Sequence, residues 1–365
     1  MDHERKKKLR LLVFLVFLLI VYDLGMVLFF YFWFAHQIAQ SYSTDGIVIS
    51  GNHLSLDSLT LRQKLSQMII VSGRWNGPEI TRMNVGGIYL FGNWDKEDYV
   101  RKIQDFDNAS RIPLFISTDL EGYWNPFQRF YNSSFVYAFH TPVEARKLGE
   151  EHGKILKEIG FTVDFSPVAE ANGKVWDGRG FNGSAFEVAQ KAQAYVEGLE
   201  SYGILSVAKH YPGGSIDTLD PHQYVVIRNI TGADVFPFSS LLDAHVSGIM
   251  VGHVVASGEI NSGGKPCSVS PTCVQSIREN GYRGLIFSDE VNMKGLTHFY
   301  PSKEDLYVDL LKAGNDVILD FSLTPRSLDA LLRGLEKRVQ RGDIDEGKID
   351  NSVRRILGKK RYVVG

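Results

Sequence analysis

Short runs of consecutive apolar residues recur along the chain: MIIVS (68–72), GGIYLF (86–91), PLFIST (113–118), TVDFSPV (162–168), ILSVAKH (204–210), GIMVGHV (248–254), GLIFSD (284–289) and DVILDF (316–321). Runs that are apolar on successive rather than alternate positions suit strands buried on both faces, as in a parallel sheet. Several are separated by segments with apolar residues at helical spacing, such as PVEARKLGEEHGKILKEIG and SAFEVAQKAQAYVEGLESYG. Ahead of the first run, LDSLTLRQKLSQM reads as a capped helix. Eight strands alternating with helices over roughly 300 residues predict an α/β fold, a single (β/α)8 TIM-type barrel. An open doubly wound sheet is the alternative. The chain has no G-x-x-x-x-G-K-[ST], and its one G-x-G-x-x-G match, GRGFNG (178–183), starts ten residues beyond the nearest apolar run instead of directly after it, so neither supports a nucleotide site and the barrel is favoured.

The amino terminus follows a different pattern. MDHERKKKLR carries five basic residues, and Leu11 to Ala35 is then apolar apart from Asp23. A helix of that length, at about 1.5 Å per residue, exceeds the roughly 30 Å hydrocarbon core of a bilayer. FAHQIAQS makes a poor signal-peptidase site. The reading is an uncleaved transmembrane helix ahead of the barrel, with the basic flank inside and the remainder exported. A mid-span carboxylate at Asp23 costs a few kcal/mol and complicates a simple span. A buried core helix is the alternative. The domain boundaries that follow are 1–40 for flank and anchor, 41–54 for a linker and 55–365 for the barrel, giving a single-pass plasma (inner) membrane protein with an extracytoplasmic domain.

Composition narrows the classes further. Of the 365 residues, 44% are hydrophobic and 22% charged, enough for a sizeable core. A formal net charge of −2 argues against a nucleic-acid-binding surface. Two cysteines, Cys267 and Cys273, exclude a disulfide scaffold and a four-cysteine zinc site; they could pair or remain thiols.

In a TIM barrel the reacting groups gather where strands end. Polar residues fall at those ends here: Asp119 and Glu121 after the third run, Lys209 and His210 after the fifth, His253 after the sixth, Asp289 and Glu290 after the seventh. Read alone, Asp289 suits either a helix N-cap or a nucleophile or general base. Asp220 and His222 are two residues apart on a loop with Pro212, Gly213, Gly214 and Pro221. They could form a solvated turn, an acid/base dyad, or, with His210, part of a metal site.

Several motifs resemble the bacterial β-N-acetylglucosaminidase type of family 3 glycoside hydrolases. KHYPGGSIDTLDPH is similar to that family's K-H-[FY]-P-G-H-G-x4-D-S-H loop, and GLIFSDEVNMKGL to its G-x-[VI]-x-S-D-D-L-S-M-K-G segment. STDLEGYWNPFQRF, VDFSPVAEANG, GGIYLFGNW and DNSVRRILGKK also fit, so the resemblance runs from about residue 55 to the C-terminus. It implies that Asp289 is the nucleophile and that His222, partnered by Asp220, is the general acid/base. It also implies that Asp119, Arg179, Lys209 and His210 hold the sugar. The expected substrate is a GlcNAc-containing glycan, with no cofactor and no metal. Phosphorolysis, or a catalytically degenerate membrane-tethered sugar-binding scaffold, are the alternatives. The chain departs from the family pattern in having Gly214 and Ser215 where the loop has His-Gly, and Pro221 between Asp220 and His222. Tyr123 and Trp124 are added, and Glu170 and Glu290 stand where aspartates are usual.

Overall fold

All eight apolar runs become strands, and the strands close on themselves. In the computed structural model, which describes residues 21–29, 46–171, 178–214, 219–279 and 281–364, they are β1 (Ile69–Ser72), β2 (Gly87–Tyr89), β3 (Phe115–Thr118), β4 (Val163–Asp164), β5 (Leu205–Tyr211), β6 (Gly248–Val251), β7 (Leu285–Glu290) and β8 (Val317–Asp320). Each pairs in parallel with its neighbours in chain order, and β8 closes the ring on β1 through Ile318–Ile69 and Leu319–Ile70. The fold is therefore the predicted α/β barrel. Nearly every strand position is buried, which is why the runs are apolar on consecutive residues.

The outer layer is helical: α1 (Leu61–Gln67), α2 (Lys96–Ala109), α3 (Pro142–Ile159), α4 (Ala185–Glu200), α5 (Gly232–Asp243), α6 (Pro271–Glu279), α7 (Lys303–Ala313), α8 (Pro325–Gln340) and α9 (Glu346–Lys359). Among the described residues, only the β1–β2 connection departs from the alternation, using the 3-10 helix Pro78–Met83. Local chemistry starts several helices. The Thr60 hydroxyl accepts from Gln63 N–H while the Gln63 side chain accepts from Thr60 N–H, and Thr141 with Glu144 and Ser184 with Glu187 repeat the arrangement. Pro142 occupies the first turn of α3, and Gly160 ends it in the left-handed region. α3 and α4 approach so closely that a Cβ on Gly149 would lie 2.2 Å from the Tyr195 carbonyl oxygen.

Residues 46–364 make one compact unit. A hairpin, Ile49–Ser50 with His53–Leu54, adds Val363–Val364 as a parallel third strand. A second small sheet pairs Ile227–Ile230 in parallel with Val255–Gly258, tying the loop after β5 to the loop after β6. Cys267 and Cys273 form a disulfide, settling the pairing that the sequence left open. Of the apolar run 11–35, only residues 21–29 are described; they are helical. The proposed anchor thus falls mostly outside the described residues, among which no helix is long and apolar enough to cross a membrane.

Candidate active site

The C-terminal ends of the strands frame a cavity of about 520 Å³. Its lining includes Asp119, Arg179, Lys209, His210, His222 and Asp289, so six of the seven site residues expected from sequence share one space. The seventh, Asp220, stands behind His222. Ser215 lies outside the described residues.

Asp289 emerges near the end of β7. Its Oδ1 accepts from the Glu290 N–H at 2.8 Å, and its Oδ2 lies 3.9 Å from His210 Nε2. Burial works against its charge, but His210, His253 and the Glu290 N–H outweigh that and hold the carboxyl below its ordinary range. It is an ionised carboxylate at neutral pH. Glu290 also lines the cavity, with its carboxylate engaged locally: it accepts from Asn292 N–H at 2.9 Å and Phe321 N–H at 3.2 Å. Burial is the main reason its carboxyl is shifted upward.

His210 is aimed by Glu170, whose Oε1 is 2.7 Å from His210 Nδ1. A glutamate at this position can therefore orient the imidazole. His253 is held at both nitrogens, by Ser268 Oγ at 2.8 Å and by the Glu290 carbonyl at 2.9 Å. Burial lowers its pKa, and Nε2 donates to that carbonyl and fixes the backbone beside Asp289. The Cys267–Cys273 bridge spans Ser268, the other partner of this ring.

Across the cavity, Glu121 carries two cations. Arg179 grips it bidentately, Nε to Oε2 at 2.6 Å and Nη2 to Oε1 at 2.8 Å, and Lys209 Nζ pairs with both Glu121 and Asp119. Burial would raise the Glu121 pKa, but Arg179 and Lys209 bring it down to about 2. Burial likewise opposes the Lys209 charge, and Asp119 and Glu121 override it, so the ammonium persists. Tyr89 donates to Asp119 Oδ2 at 2.6 Å and stacks on Phe321 with ring centroids 4.1 Å apart. Burial and then the Asp119 charge raise its pKa, keeping it a donor. Asp164, at the end of β4, accepts the Leu120 N–H at 2.8 Å and so supports the turn carrying Asp119 and Glu121.

His222 sits on a compact turn. Asp220 Oδ1 accepts both the His222 N–H at 2.9 Å and contact from His222 Nδ1 at 2.8 Å. The ring is 58% exposed at the cavity mouth. The strand histidine and the loop histidine thus have separate carboxylate partners, Glu170 for His210 and Asp220 for His222. Among the described residues no group of three or more His, Cys, Asp or Glu is arranged to hold a metal ion.

Sequence reasoning missed the bracketing role of Glu121, the aiming of His210 by Glu170, and Tyr89, Asp164 and Trp75. Trp75 lines the cavity while 69% exposed. The adjacency of Glu121 to Asp119 was the one visible signal; the other partnerships join residues 30 or more positions apart.

A parallel barrel with an ionised carboxylate, an Asp–His pair and fixed charged groups around one cavity suits a glycosidase. The chain belongs to glycoside hydrolase family 3: residues 60–358 match the Glycosyl hydrolase family 3 N terminal domain. It is a glycoside hydrolase. It is 27% identical over 329 residues to the beta-hexosaminidase LpqI of Mycobacterium bovis (strain BCG), covering 83% of each chain. It is 31% identical over 277 residues to a beta-hexosaminidase of Nitrosomonas eutropha, covering 69% of this chain and 78% of that one. The crystal structure of a family 3 glycosyl hydrolase from Mycobacterium smegmatis superposes with a TM-score of 0.76 at 26% identity, over 84% of this chain and 98% of that one. A family 3 β-N-acetylglucosaminidase from Paenibacillus gives 0.75 at 25% identity, over 83% of this chain and 62% of that one.

Proposed function

We propose that this protein is an exo-acting, retaining β-N-acetylglucosaminidase that removes terminal β-linked GlcNAc from peptidoglycan fragments or related glycans. The observation carrying the reading is that Asp289, held ionised, shares its cavity with His222, whose Nδ1 is engaged by Asp220. Relatives named beta-hexosaminidase support the choice of sugar.

In the first step an Asp289 oxygen forms a bond to the anomeric carbon as the glycosidic C–O bond breaks. His222 gives its Nε2 proton to the departing oxygen. In the second step the now neutral ring takes a proton from water, the water oxygen bonds to the anomeric carbon, and the bond to Asp289 breaks. Two inversions leave the β configuration unchanged. Asp220 keeps the imidazole oriented, the role a carboxylate plays behind a catalytic histidine. Asp119, Lys209, Arg179 and His210 would orient sugar hydroxyls, their geometry set in advance by the Glu121 and Glu170 pairings.

Asp289→Asn is expected to reduce turnover of an aryl β-GlcNAc by roughly 10³-fold or more while the protein stays folded. A slow 2-fluoro glycoside should label Asp289 covalently in the wild type. Labelling of any other residue would remove the assignment. Comparison with an aryl β-glucoside tests the sugar, and product analysis in phosphate separates hydrolysis from phosphorolysis.

Residues 1–40 form, in this proposal, a basic flank and a membrane anchor with the barrel exported. A disulfide in the barrel supports the export, because such bonds persist in oxidising compartments. The full-length protein should resist carbonate extraction from membranes, and protease added from outside should reach the barrel. Recovery in the soluble fraction would sink the anchor.

A further inference from the structure

The loop bearing His222 is tied to the segment that follows Asp289. After β7 the chain makes a single helical turn, Lys294–Thr297. The first two N–H groups of that turn point at the loop: Lys294 N–H donates to the His222 carbonyl at 3.2 Å and Gly295 N–H to the Pro221 carbonyl at 3.1 Å. These are donors that a helix start leaves without intrahelical partners. The approach also needs a residue without a side chain. A Cβ on Gly295 would lie 2.9 Å from both the Pro221 and the Tyr224 carbonyl oxygens. Gly295 is in the right-handed helical turn rather than the left-handed region, so its backbone shape does not demand glycine. Close packing against the His222 loop does.

On the loop side the same residues form a self-contained unit. The Asp220 carbonyl accepts from Gln223 and Tyr224 N–H, both at 3.0 Å, and the Asp220 side chain holds His222. The loop's downstream limb is already pinned by the Ile227–Ile230 pairing with Val255–Gly258. Because the His222 ring is 58% exposed, burial does little to place it, and the position of its main chain sets where the ring reaches.

We propose that Lys294 and Gly295 are positioning residues for the reaction: their N–H groups, with the missing Cβ of Gly295, clasp the acid/base loop to the strand that presents Asp289. One element thereby fixes the relative placement of the two reacting groups. The inference rests on the reading of His222 as acid/base.

Two variants open the clasp by different means. Gly295→Ala adds the obstructing methyl in a helical turn that otherwise favours alanine. Lys294→Pro removes one N–H at the first helical position, where proline is accommodated and Met293 is already extended at ψ 137. Both are compared with His222→Ala using kcat/KM for glycosides of good and poor leaving groups. General acid catalysis is worth roughly 10²–10⁴-fold, so His222→Ala should lose that much on poor leaving groups and little on a dinitrophenyl glycoside. The clasp variants should show the same pattern, reduced to roughly 10- to 100-fold. Their kcat on the dinitrophenyl glycoside should fall together with KM, and azide should restore it by replacing activated water. A general structural defect would not be rescued by azide. If His222→Ala shows the leaving-group pattern but both clasp variants lose both substrate types equally, or neither, the clasp is wrong. If His222→Ala itself lacks the pattern, the acid/base reading fails and the clasp proposal falls with it.

Discussion

Glu121 holds two cations in place while itself 1% exposed, and its ionisation is bound to the stability of the site. Its pKa falls from 4.5 to about 2: burial pushes upward, and Arg179 and Lys209 more than reverse it. A carboxyl whose folded-state pKa is depressed contributes stability that is complete above its unfolded value and is lost as pH drops toward the folded value. The window is therefore about pH 4.5 down to about 2, and the contribution on the order of 3 kcal/mol. Glu121→Gln should flatten the fall in unfolding free energy between about pH 4.5 and about pH 2, measured by urea denaturation. It should also cost roughly 3–5 kcal/mol at neutral pH by leaving buried cations underpaired. An unchanged acid slope would show that another carboxylate is responsible. At this scale the sequence was legible only in part. Asp289, Asp220 and His222 stood out through motif resemblance, because their spacing alone fitted caps and turns equally well. Glu121 and Glu170 act through Arg179, Lys209 and His210, partners brought near by barrel closure and by no local pattern.

The strands were the most readable elements, since burial on both faces writes itself into consecutive apolar residues. Their ends were less so. TVDFSPV reads as a strand over 162–168, but pairing stops after Asp164 and resumes only as the Val168–Lys209 bridge. Pro167 has no N–H to donate, although its carbonyl still accepts from Lys209 N–H at 3.0 Å. Helix starts were legible where a Thr or Ser stands three residues before Gln or Glu. The contact between α3 and α4 was not, because two glycines among many give no sign of facing a neighbour. Gly149 meets the Tyr195 carbonyl and Gly198 meets the Arg146 carbonyl, each with room for no more than hydrogen. Gly149→Ala should therefore push the helices apart and cost roughly 1–3 kcal/mol, despite alanine's better helix propensity. A thermal midpoint lower by roughly 2–6 °C is expected, and an equal or higher midpoint would mean that the helices give way without cost.

For the whole molecule, the cavity depends on strands drawn from nearly the full length of the barrel, from Tyr89 in β2 through Asp289 in β7 to Leu319 in β8. The ring that gathers them has no natural first strand: β8 pairs with β1 as any other neighbours do. The three-stranded sheet beside it brings the two ends of this unit together, Val363 opposite His53 and Val364 opposite Leu54. Where a chain's ends lie side by side, its order can be rewritten. A circular permutant that joins residue 364 to residue 46 through a short flexible linker and opens at Gly342 should fold and keep its kcat/KM. Gly342 is exposed, with nothing near its missing Cβ, and it sits between α8 and α9. A permutant that folds but loses activity would mean that the seam matters to the site. One that keeps it would make the order of the eight strands a matter of descent, with the geometry of the catalytic cup owed to closure alone.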